Sequence, residues 1–219
     1  MGACPQPAGC AIIHLTWLEA TGGAPGVAAR LNARITELMR TSDERATTEN
    51  TPELIAHTFQ REFEAYRDQY PRSPRRWRLM GSVSLAWRSR TGLLTFDAPS
   101  YQERGDAHAT SHEHFRVVDA HDGRALEFRD IVADRSAATP VVERFFRRAK
   151  RVPDDGSLAE YGWSFAHDRF ALPPDIGLSA DGVIFHWDPF VIGPYLAGAT
   201  TLVVPYDSLR MALTTRVLP

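Results

Sequence analysis

The spacing of apolar residues changes several times along the chain, and each spacing predicts an element of secondary structure. Residues 11–19 are rich in β-branched and aromatic side chains, which favours a strand, and the Gly22-Gly23 pair predicts the turn that ends it. From Val27 onward the apolar positions recur every three or four residues, as on one face of a helix that ends near Arg40. These positions are Val27, Leu31, Ile35 and Leu38.

A second helix is predicted after the polar stretch 40–50. Thr51 is a suitable N-cap, and Pro52 stands at the first helical position, where its missing N–H costs nothing. The apolar stripe that follows consists of Ile55, Phe59, Phe63 and Tyr66. We expect this helix to end before Pro71, because proline restricts the residue that precedes it.

The middle of the chain is rich in residues that favour strands. Strands are predicted at about residues 77–88, 93–101 and 112–118, and residues 126–132 predict a further short strand or extended segment. Helical spacing after Pro140 predicts a third helix. The remainder of the chain again predicts extended structure.

Helices early in the chain and strands later indicate an α+β fold, in which antiparallel or mixed β-sheets are covered by helices. We predict three parts. Residues 1–10 form a flexible leader, residues 11–75 a smaller strand–helix–helix subdomain, and residues 76–219 a larger C-terminal domain on which the subdomain packs.

Composition and charge narrow the class of protein. The chain has 219 residues, of which 43% are hydrophobic and 24% charged, as in a globular protein. The formal net charge of -2 argues against a nucleic-acid partner, because binding phosphates requires an excess of clustered Lys and Arg. The window 97–135 has nine acidic residues against five arginines, a local balance of -4 that suits a basic partner.

The N-terminus leaves two readings of the compartment open. No signal peptide and no apolar run of membrane-spanning length is present, so the sequence fits either a cytosolic protein or the mature form of an exported one. The loop-like Pro/Gly start favours export. The two cysteines, Cys4 and Cys10, are either free thiols, a small disulfide loop, or a lipid-anchored Cys4 with a second thiol.

Candidate chemistry is densest at His108, His112 and His114. In an extended segment their even spacing would place the three imidazoles on one face, as a metal site requires. No HExxH, CxxC, GxSxG, GxGxxG or Walker motif accompanies them. Histidines on a half-exposed strand are more often hydrogen-bonded than ligating. We therefore predict no enzymatic activity, no metal and no cofactor.

The block 178–209 has the most distinctive pattern in the chain. Asp181-Gly182 predicts a turn, and Pro189, Pro194 and Pro205 each remove a donor from a strand ladder. The block therefore predicts a hairpin arm, an aromatic crossover and a closing strand. It resembles the C-terminal signature of the RsiV/PdaC-type extracytoplasmic domain family. The matching positions are Asp181, Gly182, Phe185, Pro189, Ile192, Gly193, Tyr195, Gly198, Val204, Pro205, Tyr206 and Leu209.

Two upstream segments, 105–108 and 122–131, also resemble that family, and the N-terminal strand, turn and helix around residues 31–35 resemble the smaller domain that usually precedes it, so the resemblance covers nearly the whole chain. It implies an exported protein of the periplasm or outer cell envelope. In one branch of the family the domain binds lysozyme, which implies a lysozyme-like or other peptidoglycan hydrolase as partner and a sensor, inhibitor or immunity protein as function.

Rigid aromatic side chains with acidic neighbours are expected to form the contact surface with such a partner. The residues that we assign to it are Tyr101, Glu103, Asp106, Trp187 and Tyr195. Two alternatives remain: a metal-assisted hydrolase that uses His108, His112 and His114, and an envelope protein that binds peptidoglycan through Trp77 and Trp87.

Overall fold

The computed structural model describes residues 9–105 and 108–218, which form an α+β fold with two sheets, as predicted. The first sheet has four strands in the order β1-β2-β3-β4, where β1 runs parallel to β2 and the other pairs are antiparallel. Its strands and the two helices that cover it are β1 (Ala11–Trp17), α1 (Val27–Arg40), α2 (Pro52–Gln69), β2 (Trp77–Arg88), β3 (Leu93–Glu103) and β4 (Thr110–Asp119).

Both early helices begin and end close to where the sequence predicts. The Thr51 hydroxyl accepts a hydrogen bond from the Leu54 backbone N–H at 3.3 Å, so Thr51 is the N-cap of α2. The apolar stripe of α2 packs on the sheet, where Phe59 and Phe63 meet Trp77 edge-on at ring-centroid distances of 5.6 and 5.8 Å. The apolar stripe of α1 packs on the same sheet.

The second sheet is antiparallel, in the order β5-β6-β7. The remaining elements are α3 (Phe128–Ile131), α4 (Arg135–Lys150), β5 (Asp175–Leu178), β6 (Val183–Trp187), β7 (Thr200–Val204) and α5 (Tyr206–Leu209). Phe146 of α4 packs against Trp187 at 5.9 Å between ring centroids, in the largest hydrophobic cluster of the described residues. On its other side the sheet contacts β3 and β4, for example through a 3.2 Å hydrogen bond from Leu178 N to the Thr95 hydroxyl.

Two sequence-based expectations about this half were wrong. Within the segment 126–132, residues Phe128–Ile131 form the short helix α3 rather than a strand, because a capping box closes around them: the Glu127 side chain accepts from Asp130 N–H and the Asp130 carboxylate accepts from Glu127 N–H. Helix α4 begins at Arg135, before Pro140, because the Asp134 carboxylate accepts from Ala137 N–H at 3.0 Å and caps it there.

The predicted subdomain and domain share the first sheet. β1 lies in the predicted subdomain and β2 in the predicted domain, yet they pair from Ala11–Trp77 to Trp17–Val83. The division into folding units stays a prediction. Among the helices of the described residues, none is long and apolar enough to cross a bilayer.

Candidate functional site

Strand β4 is an edge strand, and carboxylates of the second sheet bond the backbone N–H groups on its free side. Asp188, directly after β6, accepts from Glu113 N–H at 2.9 Å. Asp175, the first residue of β5, accepts from Phe115 N–H at 3.0 Å. An unpaired edge would attract foreign strands, so these carboxylates protect it and join the two sheets.

Each of these carboxylates also contacts the histidine that precedes its backbone partner. Asp188 Oδ2 lies 2.9 Å from His112 Nδ1, and Asp175 Oδ2 hydrogen-bonds His114 Nδ1. We call His112, His114, Asp175 and Asp188 the histidine clamp. The two imidazoles project from the same face of β4, as predicted, with ring centroids 6.1 Å apart and planes 10° from parallel.

The hydrogen bond between His112 and Asp188 favours the charged form of both side chains. The hydrogen bond to Asp188 raises the pKa of His112, against an opposing effect of burial. Burial by itself would raise the pKa of Asp188, but hydrogen bonds from His112, His186 and the Glu113 backbone outweigh it and hold that pKa well below its usual range. Asp188 is therefore a carboxylate anion in the folded protein at neutral pH.

A second titrating group lies behind the clamp. Burial, followed by repulsion from Glu113, raises the pKa of Asp97 to about 6, although His186 acts in the opposite direction. Asp97 Oδ1 has no hydrogen-bond partner among the described residues. His186 is only 2% exposed and bonds the Thr201 hydroxyl at 2.8 Å and Asp188 Oδ1 at 3.0 Å.

A groove of about 590 Å³ runs between β4 and the loop that follows α1. His112, His114 and Glu44 line it, and Glu44 Oε1 lies 3.3 Å from His112 Nε2. One nitrogen of each of these histidines and one carboxylate oxygen of Asp188 lie within 4.8 Å of one another, so together they could hold a metal ion. Among the described residues, His108 does not join this group. Its ring packs against Tyr195 instead, at 5.3 Å between centroids.

The crossover loop, residues 188–198, begins at the clamp residue Asp188 and presents several exposed apolar side chains. Leu196 is 96% exposed and Phe190 60%, and Val191 and Tyr195 are also exposed. The rings of Phe190 and Tyr195 stack at 5.0 Å, and Phe190 has a left-handed backbone with φ 69°. Aromatic and aliphatic surface therefore clusters on one segment.

Underlying structure fixes this loop in place. Ile192 is buried, and its carbonyl accepts from Ser164 N–H at 2.9 Å. A Cβ atom on Gly193 would lie 3.3 Å from the Trp163 ring, so glycine allows the close approach of loop and ring. The supporting segment, residues 152–168, contains four acidic residues, but Arg151 and Arg169 flank it and Lys150 of α4 packs on its Trp163 ring. Those acidic residues, Asp154, Asp155, Glu160 and Asp168, are all exposed.

The structure separates the predicted partner-binding residues. Tyr195 lies in the crossover loop, whereas Tyr101 and Glu103 lie on β3, where their side chains hydrogen-bond at 3.4 Å. Trp187 is only 3% exposed and packs in the core, so it cannot offer contact surface and its assignment was wrong. Asp106 lies outside the described residues. Trp77, assigned to peptidoglycan in one alternative, is likewise buried, at 6% exposed.

Sequence reasoning missed the acidic half of the site. Asp188 and Asp175 are 76 and 61 residues from their histidine partners, so no local spacing connects them. A weak signal existed: both aspartates stand at a strand end, opposite the alternating histidines of an edge strand.

Comparison with known proteins finds a family model that matches part of this chain and solved structures that share its fold. Residues 129–207 match the family model described as "Protein of unknown function (DUF3298)". The matched segment contains Asp175, Asp188 and the crossover loop, whereas His112, His114 and Glu44 precede it. No curated protein matches the chain.

The solved structures that share the fold include two DUF3298 family members. A protein from Bacteroides fragilis aligns with a TM-score of 0.69 at 16% identity, over 90% of this chain and 82% of its own. A protein from Pseudomonas aeruginosa aligns with a TM-score of 0.69 at 17% identity, over 95% of this chain and 88% of its own. At these identities the likeness concerns the fold.

Proposed function

We propose that this chain is a non-enzymatic binding protein of the bacterial cell envelope, located in the periplasm or outer envelope, that recognises a protein partner through its crossover loop. The observation that supports this most is the cluster of exposed apolar side chains at Phe190, Val191, Tyr195 and Leu196. Single exposed apolar residues are common on soluble proteins, but a contiguous group on one loop is typical of an interaction site.

The loop has the properties of an interface that is formed before binding. The stacked pair Phe190–Tyr195 and the buried Ile192 limit its freedom, so little conformational entropy would be lost on association. The left-handed backbone of Phe190 is uncommon for a bulky residue, and Phe190 is 60% exposed. Aromatic anchors of this kind usually carry most of the binding energy.

Charge favours a basic partner. The window 97–135 has nine acidic residues against five arginines and includes His108, which packs against Tyr195 of the loop, so it would attract a positively charged surface and speed association. The resemblance of residues 178–209 to the RsiV/PdaC-type family points to a lysozyme-like or other peptidoglycan hydrolase. A sensor, an inhibitor or an immunity protein would use the same surface.

Binding to purified muramidases tests this proposal. Isothermal titration calorimetry at physiological salt should show saturable binding to a lysozyme-type muramidase, and the chain should slow lysis of peptidoglycan by that enzyme. Cytochrome c, a small basic protein without muramidase activity, is the charge control and should not bind with comparable affinity. The absence of both binding and inhibition across a broad muramidase panel would contradict the proposal.

Loop variants locate the surface. Tyr195→Ala and Leu196→Ala should each weaken binding by about 30-fold, the effect of losing a hot-spot side chain worth about 2 kcal/mol. Met211→Ala is the matched control, because Met211 is 90% exposed and lies outside the loop. Equal affinity for all three variants would exclude the loop as the contact surface.

A metal-assisted hydrolase is the second candidate, and the groove beside His112 and His114 is the observation that favours it. The sequence predicted a site of three histidines, but His108 packs against Tyr195 instead of joining the other two. Hydrolysis of a peptidoglycan or ester substrate that chelator abolishes and Zn²⁺ restores would support this candidate over the binding protein.

A further inference from the structure

The ends of three elements meet at the histidine clamp. β4 supplies His112 and His114, the segment after β6 supplies Asp188, and the loop after α1 supplies Glu44. We infer that this junction is a binding site for a single divalent transition-metal ion of the Zn²⁺ class, with His112, His114 and Asp188 as its ligands.

The distances are close to those of a coordination shell. Ligand atoms of tetrahedral zinc lie about 2.1 Å from the ion and therefore about 3.4 Å from one another. His112 Nδ1 and Asp188 Oδ2 are 2.9 Å apart, and one nitrogen of each histidine and one oxygen of Asp188 lie within 4.8 Å of one another. Small side-chain rotations complete the shell, and the ion replaces the proton shared by His112 and Asp188, which passes to solvent.

Every ligand already has the outer partner that metal sites usually provide. The Nε2 atom of His112 faces Glu44 Oε1 at 3.3 Å, and Nδ1 of His114 bonds Asp175, which leaves Nε2 of His114 for the ion. Asp188 Oδ1 is held by Glu113 N–H at 2.9 Å and by His186 Nε2 at 3.0 Å. Such carboxylate–histidine pairs orient the ligating nitrogens and strengthen binding.

The donor set determines which ions bind. Two imidazoles and one carboxylate suit Zn²⁺, Ni²⁺, Cu²⁺ or Co²⁺, whereas Mg²⁺ and Ca²⁺ require a shell of oxygens. The fourth coordination position would face the groove of about 590 Å³, where water completes the shell. Because Asp188 also begins the crossover loop, the ion would fix that loop to β4.

Metal titration of the untagged, full chain tests the inference. After EDTA treatment and dialysis, the protein should bind one Zn²⁺ per chain, and its Tm should rise by several degrees, while Mg²⁺ and Ca²⁺ leave it unchanged. Co²⁺ should give the visible absorption of a nitrogen- and oxygen-ligated ion without a thiolate band, which excludes Cys4 and Cys10 as ligands.

Variants assign the ligands. His114→Gln should abolish Zn²⁺ binding, and Asp175→Asn should weaken it by about 10–100-fold, as the loss of an outer partner does. His121→Gln is the matched control, because His121 also bonds an aspartate, Asp119 at 2.8 Å, but is not among the residues that line the groove. Circular dichroism confirms that each variant is folded.

Two results would overturn the inference: no saturable Zn²⁺ binding by the unaltered chain, or binding that His114→Gln leaves intact. In either case the clamp is a hydrogen-bonded junction only. The titration needs no protein partner, so its failure leaves the proposed binding function standing, and failure of muramidase binding leaves the metal site standing.

Discussion

At the scale of single residues, the structure places an unusual carboxylate beside the clamp. Asp97 lies on β3, opposite Phe115, and faces Glu113 and His186. Its Oδ1 atom has no partner among the described residues, and burial raises its pKa to about 6. In the unfolded chain the same carboxyl has an ordinary pKa near 3.8, so ionisation of Asp97 opposes folding.

Asp97→Asn should therefore stabilise the protein above pH 6. In the natural chain, the contribution of protonated Asp97 is fully present below about pH 4 and is lost as pH rises towards 6. Because Asp97 is only partly buried, solvent screens part of this effect, and we expect the variant to gain about 1 kcal/mol in unfolding free energy at pH 8 and nothing at pH 4. Urea denaturation at both pH values measures this.

Asp154→Asn, at an exposed position, should leave the unfolding free energy unchanged at both pH values. A loss of stability in Asp97→Asn at pH 8 would contradict the assignment of Asp97 as a strained, ionised group.

Gly182 lies so close to the backbone of β7 that a side chain would not fit there. It follows Asp181 in the β5–β6 turn, where a Cβ atom would lie 2.1 Å from the Val204 carbonyl oxygen. Gly182→Ala should reduce the unfolding free energy by about 2 kcal/mol, because the backbone of β7 would have to move. Gly22→Ala is the control, since no described atom lies within 4 Å of its added Cβ. Equal stability of the two variants would be inconsistent with this contact.

At the scale of elements, apolar spacing predicted helices α1 and α2 and most strands well, because each presents one face to the core. It failed where polar side chains decide the structure. The capping box of Glu127 and Asp130 makes a helix of residues that look extended, and Asp134 starts α4 before Pro140. Alternation also could not show that β6 is covered on both faces, which buries Trp187.

A buried cation holds together three elements that the sequence does not connect. Arg104, after β3, makes two hydrogen bonds of 2.8 and 2.7 Å to Asp43, which follows α1, and also bonds Glu62 of α2. Its guanidinium stacks on the Phe59 ring at 4.6 Å. Both Arg104 and Asp43 are buried, so Asp43 would be left as an uncompensated buried charge without Arg104, whereas Arg104 would keep Glu62 as a partner.

Arg104→Ala should reduce the unfolding free energy by about 3–5 kcal/mol, because Asp43 would remain buried without its partner. Arg104→Lys should recover only part of this loss, since lysine cannot make the two-pronged bond or stack in the same way. Arg78→Ala is the control: Arg78 is partly exposed, lies 3.7 Å from Glu103, and should cost less than about 1 kcal/mol. Thermal and urea denaturation compare the three variants.

At the scale of the whole molecule, the two sheets are joined by local bonds across an edge rather than by a continuous ladder. Asp188 and Asp175 form two separate links to β4. Their backbone partners on that strand, Glu113 and Phe115, are two residues apart. Asp188 begins the crossover loop and Asp175 begins β5, so each link fixes a different part of the second sheet. The site and the crossover loop therefore depend on the same junction.

Hydrogen exchange followed by NMR can separate these links. In EDTA, Asp188→Ala should speed exchange of the Glu113 amide by at least about tenfold, because a hydrogen bond to a charged group is worth about 1.5–3 kcal/mol. The Phe115 amide, which Asp175 still covers, should keep its protection. Asp175→Ala should give the reverse pattern. If either variant instead speeds both amides equally, the two carboxylates form one cooperative unit, and the second sheet is released from β4 as a whole.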